Sequence, residues 1–193
     1  MRLIINLVLI ALVAALAYLL FDSIREPIQF KDAKDLRKSI VVAKLKQIRT
    51  AQEMYRGVTG EFAPTFDTLA EVLKTGKFAL ISVYGDPDDP TFTGEIQYDT
   101  TYTPAIDSVR AIGMNLDSLR FIPLTDGMEF DIAADTMTYQ STLVQVVEVG
   151  TQIKNYMGEY ADPRFARYDN SYDPSRTIKF GDMNKPNLSG SWD

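Results

Sequence analysis

From Leu3 to Phe21 the chain runs without a charge, a glycine or a proline, and Asn6 is the one strongly polar side chain in the run. At ~1.5 Å of rise per residue, a helix of this length spans roughly the ~30 Å hydrocarbon core of a bilayer. The competing assignment is a cleavable signal peptide, with Arg2 as the basic end and Ala15-Leu16-Ala17 as a small-x-small cleavage site. Cutting after Ala17 would leave Tyr18-Leu19-Leu20-Phe21 as an apolar new terminus, and the run is longer than an ordinary signal core. An uncleaved single-pass anchor over residues 3–21, in contact with lipid, is the simpler expectation.

Roughly 170 residues follow the anchor, enough to bury one core without staples. The chain has 0 Cys and 0 His. Disulfide frameworks, zinc-thiolate sites, thiol nucleophiles, imidazole metal ligation and Ser-His catalysis are therefore all excluded. Charge is uneven. Residues 31–56 carry eight basic side chains against three acidic ones, a net of +5, whereas residues 57–193 carry ten against twenty-one, a net of −11. An acidic domain repels nucleic acid, which is not an expected partner. The basic stretch reads either as a solvated helix face or as a helix lying near lipid headgroups.

Pro27 biases Glu26 away from helical geometry and removes a backbone donor, so the membrane helix is expected to kink or stop there. A second, amphipathic helix is predicted from about Ala33 to Arg56, because Val41, Leu45, Ile48, Ala51 or Gln52, and Tyr55 recur at three- and four-residue steps. Gly57-Val58-Thr59-Gly60 supplies its stop. A short helix is predicted over Phe66–Lys74, with Thr65 or Thr68 as its cap and Gly76 at its exit. Beyond Phe78 the pattern changes to extended pieces at Ala79–Tyr84, Gly94–Tyr98, Leu119–Ile122, Met128–Ile132, Thr142–Val149 and Thr177–Gly181, with a hairpin turn at Asp126-Gly127. The expected fold is α+β: an N-terminal transmembrane helix, an amphipathic helix, then a mainly antiparallel β domain packed on it. The predicted divisions are an anchor and kinked linker over 1–30, the two helices over 31–76 and the β-rich part over 77–193, with 31–193 as one folding unit.

Candidate chemistry is sparse. Asp86, Asp88 and Asp89, with Glu95 and Asp99 nearby, could offer oxygen ligands to Ca²⁺, but the spacing matches no EF-hand loop and two prolines favour a solvated acidic turn. Glu129 and Asp131 share one face of a strand, as paired carboxylates for glycoside chemistry would, without any sign of a cleft. No phosphate-binding glycine loop, dinucleotide fingerprint or nucleophile elbow occurs. No enzyme activity, cofactor or metal is expected. The remaining candidates are contact residues. Val41, Leu45, Ile48 and Tyr55 either bury against the sheet or face a neighbour. Tyr160, Phe165, Tyr168 and Tyr172 lie in an aromatic segment that suits an ordered loop or a partner-binding one. Trp192, the one tryptophan, is a core plug or a contact.

An uncharged membrane helix, a helical continuation and a sheet-rich domain resemble the layout of type IV pilins and type II secretion pseudopilins. The likeness covers about residues 3–75 and is carried by Leu45-Lys46-Gln47-Ile48-Arg49-Thr50-Ala51-Gln52-Glu53-Met54-Tyr55, then Thr59-Gly60-Glu61-Phe62 and Phe66-Asp67-Thr68-Leu69. Gly190-Ser191-Trp192-Asp193 is similar to the tail of single-pass membrane proteins of Bacteroidota. The membrane run has neither the Gly nor the Glu of a pilin leader and assembly motif, so the resemblance implies architecture rather than a pilus. It implies a non-enzymatic assembly component of a bacterial envelope complex, in homo- or hetero-oligomers with other membrane or envelope proteins. The alternative is a membrane-tethered module capturing a soluble ligand or protein through residues 160–172. Arg25, Lys31, Lys34, Arg37 and Lys38 after the span, against Arg2 before it, point the domain to the cytoplasm by the positive-inside rule. Its acidic, Tyr- and Thr-rich composition points outward, and an inner-membrane protein with a periplasmic domain is the expectation.

Overall fold

A computed structural model describes residues 1–84 and 97–192. Its first element, α1, is one helix over Arg2–Thr59, 58 residues long and therefore ~87 Å from end to end. The expected stop at Pro27, and with it the separate linker, is absent: Pro27 lies inside α1. A proline in a helix interior costs about 3 kcal/mol. Contacts on both sides of it offset that cost, since Glu26 is held by Tyr168 and Arg167 while Phe30 is buried. The end of α1 matches expectation. Gly60 takes the left-handed conformation, φ 86°, and its N–H donates to the Arg56 carbonyl, a geometry that glycine adopts without a Cβ penalty.

The exposed apolar segment of α1 is long enough and apolar enough to cross a membrane and is 0% buried by the rest of the chain. Past it, Phe30, Val41, Leu45, Ile48, Ala51 and Gln52 form one buried stripe. Helix α2, Phe66–Thr75, starts at Thr65, whose hydroxyl accepts from the Thr68 N–H, and buries Phe66, Leu69 and Leu73. Strands β1, Lys77–Tyr84, and β2, Gln97–Pro104, pair antiparallel. Helix α3, Ala105–Ala111, follows directly and buries Ala105 and Val109. A second, three-stranded antiparallel sheet has the order β3-β4-β5: β3 Asp131–Tyr139, β4 Thr142–Gln152, β5 Thr177–Gly181. A one-turn helix α4, Ile153–Met157, leads out of β4. The fold is α+β, a long N-terminal apolar helix with two antiparallel sheets.

Several expected strands are displaced. Leu119–Ile122 and Met128–Phe130 form only an isolated bridge, Phe121 to Glu129, closed by Ile122 N–H to the Met128 carbonyl at 2.8 Å, while Asp131 and Ile132 open β3. Gly127, φ 81°, turns that loop. The principal hairpin instead joins β3 and β4 through Gln140 and Ser141, both at positive φ. The primed turn they make matches the strand twist even without Asn-Gly chemistry. Strand β3 was hidden because Ala133-Ala134-Asp135 has low strand propensity, and pairing with the valine-rich β4 decides the matter. The C-terminal half of β4 is buried on both faces, and Val147, Val149, Ile178 and Phe180 join the α1 stripe in one core. Gly181 is required there: with φ 78°, a Cβ would fall 1.9 Å from the Val147 carbonyl oxygen.

Candidate functional site

Three places carry concentrations of side chains: an aromatic knot beside α1 near residue 30, a polar cleft next to it, and the β1–β2 ribbon. In the knot, Phe30 is 1% exposed and stands between Phe165, stacked at 5.1 Å, and Tyr172, edge-on at 4.9 Å. Tyr160 closes on Phe165 at 5.2 Å, and Tyr168 flanks both Phe30 and Phe165 at 6.3 Å. Ring pairs at these separations contribute about 0.5–1.5 kcal/mol beyond area burial. The segment that delivers them has no helix or strand period because it consists of two short 3-10 turns, Gly158–Tyr160 and Pro163–Arg167, the second capped by Asp162.

Polar contacts fasten the knot to α1. Glu26 accepts from the Tyr168 hydroxyl and from Arg167 Nη2. That hydroxyl first, and the guanidinium after it, hold the Glu26 carboxyl below its usual range. Arg37 Nη1 donates to the Tyr156 carbonyl at 2.7 Å, and burial raises the Tyr156 phenol to about 12. Lys34 Nζ lies 2.5 Å from Asp169 Oδ2, with both side chains about a quarter exposed. The Lys34 hydrogen bond, followed by those from Ser171, lowers Asp169 to about 2.

The polar cleft, about 160 Å³, opens between Lys34, Lys38, Arg176 and Asp169 over a floor of Ile153, Tyr156 and Ile178. Lys34 is flanked by Asp35 at 4.0 Å as well as by Asp169, so its charge is satisfied internally. Among the described residues, no group of three or more His, Cys, Asp or Glu side chains is placed to hold a metal ion. Asp86, Asp88, Asp89 and Glu95 lie outside the described residues, and Asp99 is exposed on β2. Glu129 is exposed and ion-paired with Arg120 at 3.4 Å, and Asp131 is exposed at the start of β3. No protein-family model, curated protein or solved structure matches the chain.

The expected contact residues are placed mostly inside. Val41, Leu45 and Ile48 are each 0% exposed, so the choice between sheet and neighbour resolves to this chain's own core. Tyr55 is half-buried against it. Phe165 and Tyr172 are buried, and Tyr160 and Tyr168 are half-buried around Phe30. Of the two expected placements for each group, these positions take the inward one, with their apolar area packed on this chain's own core. Trp192 is half-buried, packed on the core from the C-terminal tail. That tail also covers the β5 edge, where the Ser191 N–H donates to the Lys179 carbonyl at 2.8 Å.

The ribbon was missed as a surface. Ala79-Leu80-Ile81-Ser82-Val83 carries apolar side chains at both strand parities, with Ser82 the exception, which reads as a strand largely buried on both faces. In the structure Ile81 is 62% and Val83 48% exposed, as are Tyr98 at 66% and Tyr102 at 63% on β2. No local signal separates a doubly buried strand from one awaiting a partner.

The Lys34–Asp169 pair makes an acid-sensitive contact with a defined sign. The Asp169 pKa is lowered on folding, so its contribution is complete above the unfolded carboxylate value near 3.8 and is lost as pH falls toward about 2. Asp169→Asn is expected to lower stability at pH 7 and to flatten the pH dependence between 4 and 2. Urea midpoints across that window check this; parallel curves for the two proteins would remove Asp169 from the account.

Proposed function

We propose that the protein is a non-enzymatic, membrane-anchored structural or assembly component of a bacterial envelope complex, pseudopilin-like in layout, with its C-terminal domain on the periplasmic side of the inner membrane. The observation that supports this reading is the continuity of α1. One 58-residue helix carries a 0%-buried apolar end and, without a break at Pro27, supplies the buried stripe of the folded domain. Such a rod transmits the anchor's position directly into the domain, whereas a flexible tether would let the domain roam. Two of the five bases that argue for the opposite side have other roles: Lys34 pairs with Asp169 and Arg37 caps the Tyr156 carbonyl.

A capture module working through residues 160–172 draws less support, because the rings that would grip a ligand surround Phe30. The absence of cysteine makes the location testable. Thr138→Cys, exposed on β3, is expected to react with a membrane-impermeant maleimide once the outer membrane is opened. Labelling only after lysis would put the domain in the cytoplasm and end the envelope reading.

A further inference from the structure

In the antiparallel β1–β2 ribbon, residues directly opposite one another share a face. The register pairs Ala79 with Tyr102, Ile81 with Thr100 and Val83 with Tyr98, so these six side chains form a single uncharged face. The opposite face carries Ser82 and Asp99 and is polar in part. At its base the ribbon is held by the Ala105 N–H donating to the Gly76 carbonyl, with Phe78 lying against Gly57 of α1. Among the described residues, neither β1 nor β2 has a second strand neighbour. A two-stranded hairpin exposing apolar residues is marginal in water and is a hazard for aggregation unless covered.

With α1 standing along the bilayer normal, the membrane that anchors the chain does not reach it. Gly57 stands 36 residues beyond Phe21 on a continuous helix, ~54 Å above the hydrocarbon edge at ~1.5 Å per residue. An eight-residue strand reaches only ~26 Å, so even a ribbon aimed straight back stays ~28 Å clear of the hydrocarbon. We propose that the face of Ala79, Ile81, Val83, Tyr98, Thr100 and Tyr102 is covered by the same face of a second copy of this chain. An uncharged face pairs best with an uncharged face, whereas the exposed apolar residues Phe121, Leu124 and Met128 are interrupted by Asp126 and Glu129. Rigid α1 rods rooted in one membrane hold every copy's ribbon at the same height, which raises the effective concentration of matching faces. With two aromatic rings, the face offers about 500 Å² per copy, or ~1,000 Å² in the pair, at the lower limit of a specific interface. Such a contact is weak in solution and sufficient between tethered copies. The inference rests on the anchored-rod reading but not on which side of the membrane the domain occupies.

Membranes containing the full chain with Ile81→Cys or Thr100→Cys, treated with a short bis-maleimide, are expected to yield a dimer. Thr101→Cys, on the opposite ribbon face, should yield at least tenfold less. Adding Tyr98→Asp to the Thr100→Cys chain should abolish the dimer while Trp192 emission stays unchanged. Equal cross-linking from both faces, no dimer from either, or an adduct of another mass in its place would overturn the proposal. Because the cross-link forms in either topology, a cytoplasmic result from Thr138→Cys leaves this test intact.

Discussion

Replacing Phe30 with alanine is expected to destabilise the domain by about 3–5 kcal/mol, the range for emptying a buried aromatic site. Phe30 is the one α1 side chain that touches all four rings of the 160–172 segment, at centroid distances from 4.9 to 6.3 Å. Those rings cannot collapse into the space without abandoning the ties to Glu26 and Lys34, because Tyr168 and Asp169 belong to the same short segment. The damage should reach Pro27 as well. A proline in a helix interior survives only where tertiary contacts hold its flanks, and Phe30 is one of the two flanking anchors. Urea unfolding of the detergent-solubilised chain, followed by the emission of the single Trp192, gives the stability. Hydrogen exchange across residues 24–34 gives the local effect. A loss below about 1 kcal/mol, or unchanged exchange, would show that the knot is a surface ornament and would reopen residues 160–172 as a free binding segment.

The second large effect is expected at Gln52, which is 0% exposed inside the α1 stripe. Its amide makes a two-way clamp: Oε1 accepts from the Ala63 N–H at 2.8 Å and Nε2 donates to the Ala63 carbonyl at 3.0 Å. The clamp pins the loop between α1 and α2 where a backbone amide would otherwise enter the core unpaired. Gln52→Leu keeps the volume and removes both partners, leaving two buried backbone groups unsatisfied. Each such group costs about 1–3 kcal/mol, so a loss of about 2–6 kcal/mol is expected. Gln47→Leu, on the exposed side of the same helix, should change stability by less than about 0.5 kcal/mol. Comparable losses at the two positions would mean that helix propensity, not the clamp, sets the effect. A hydrophobicity-ordered result, with Gln52→Leu stabilising, would show that Ala63 finds other partners.

Gln52 illustrates how a candidate residue reads in one dimension. Ala51 and Gln52 were equivalent ways to complete the apolar stripe, and only the loop at Ala63 explains why the polar one sits at the centre. The aromatic segment shows the same limit in reverse. Tyr160, Phe165, Tyr168 and Tyr172 stand out in a stretch with no structural period, and an aromatic without a period suggests an exposed contact. Their partner, Phe30, is 130 or more residues away in sequence. No local window contains both, so the inward packing was out of reach. The ribbon failed differently, since apolar side chains at both parities of β1 fit a strand buried by its own chain and fit equally one exposed for another.

What the sequence determined by itself was whatever depends on near neighbours. The apolar run of residues 3–21, the stripe of α1, its glycine stop, a threonine-capped α2 and the strands at Ala79–Tyr84 and Thr177–Gly181 all follow from periodicity, capping and hydropathy over a few residues. The absence of Cys and His likewise removed whole classes of chemistry. Tertiary structure decided the rest: that α1 continues through Pro27, that β3 pairs with β4 through Gln140-Ser141, and which aromatic side chains face inward. Each of these outcomes balances a local penalty of a few kcal/mol against burial and hydrogen bonds contributed by residues far along the chain. Only the folded arrangement brings those two quantities to the same place.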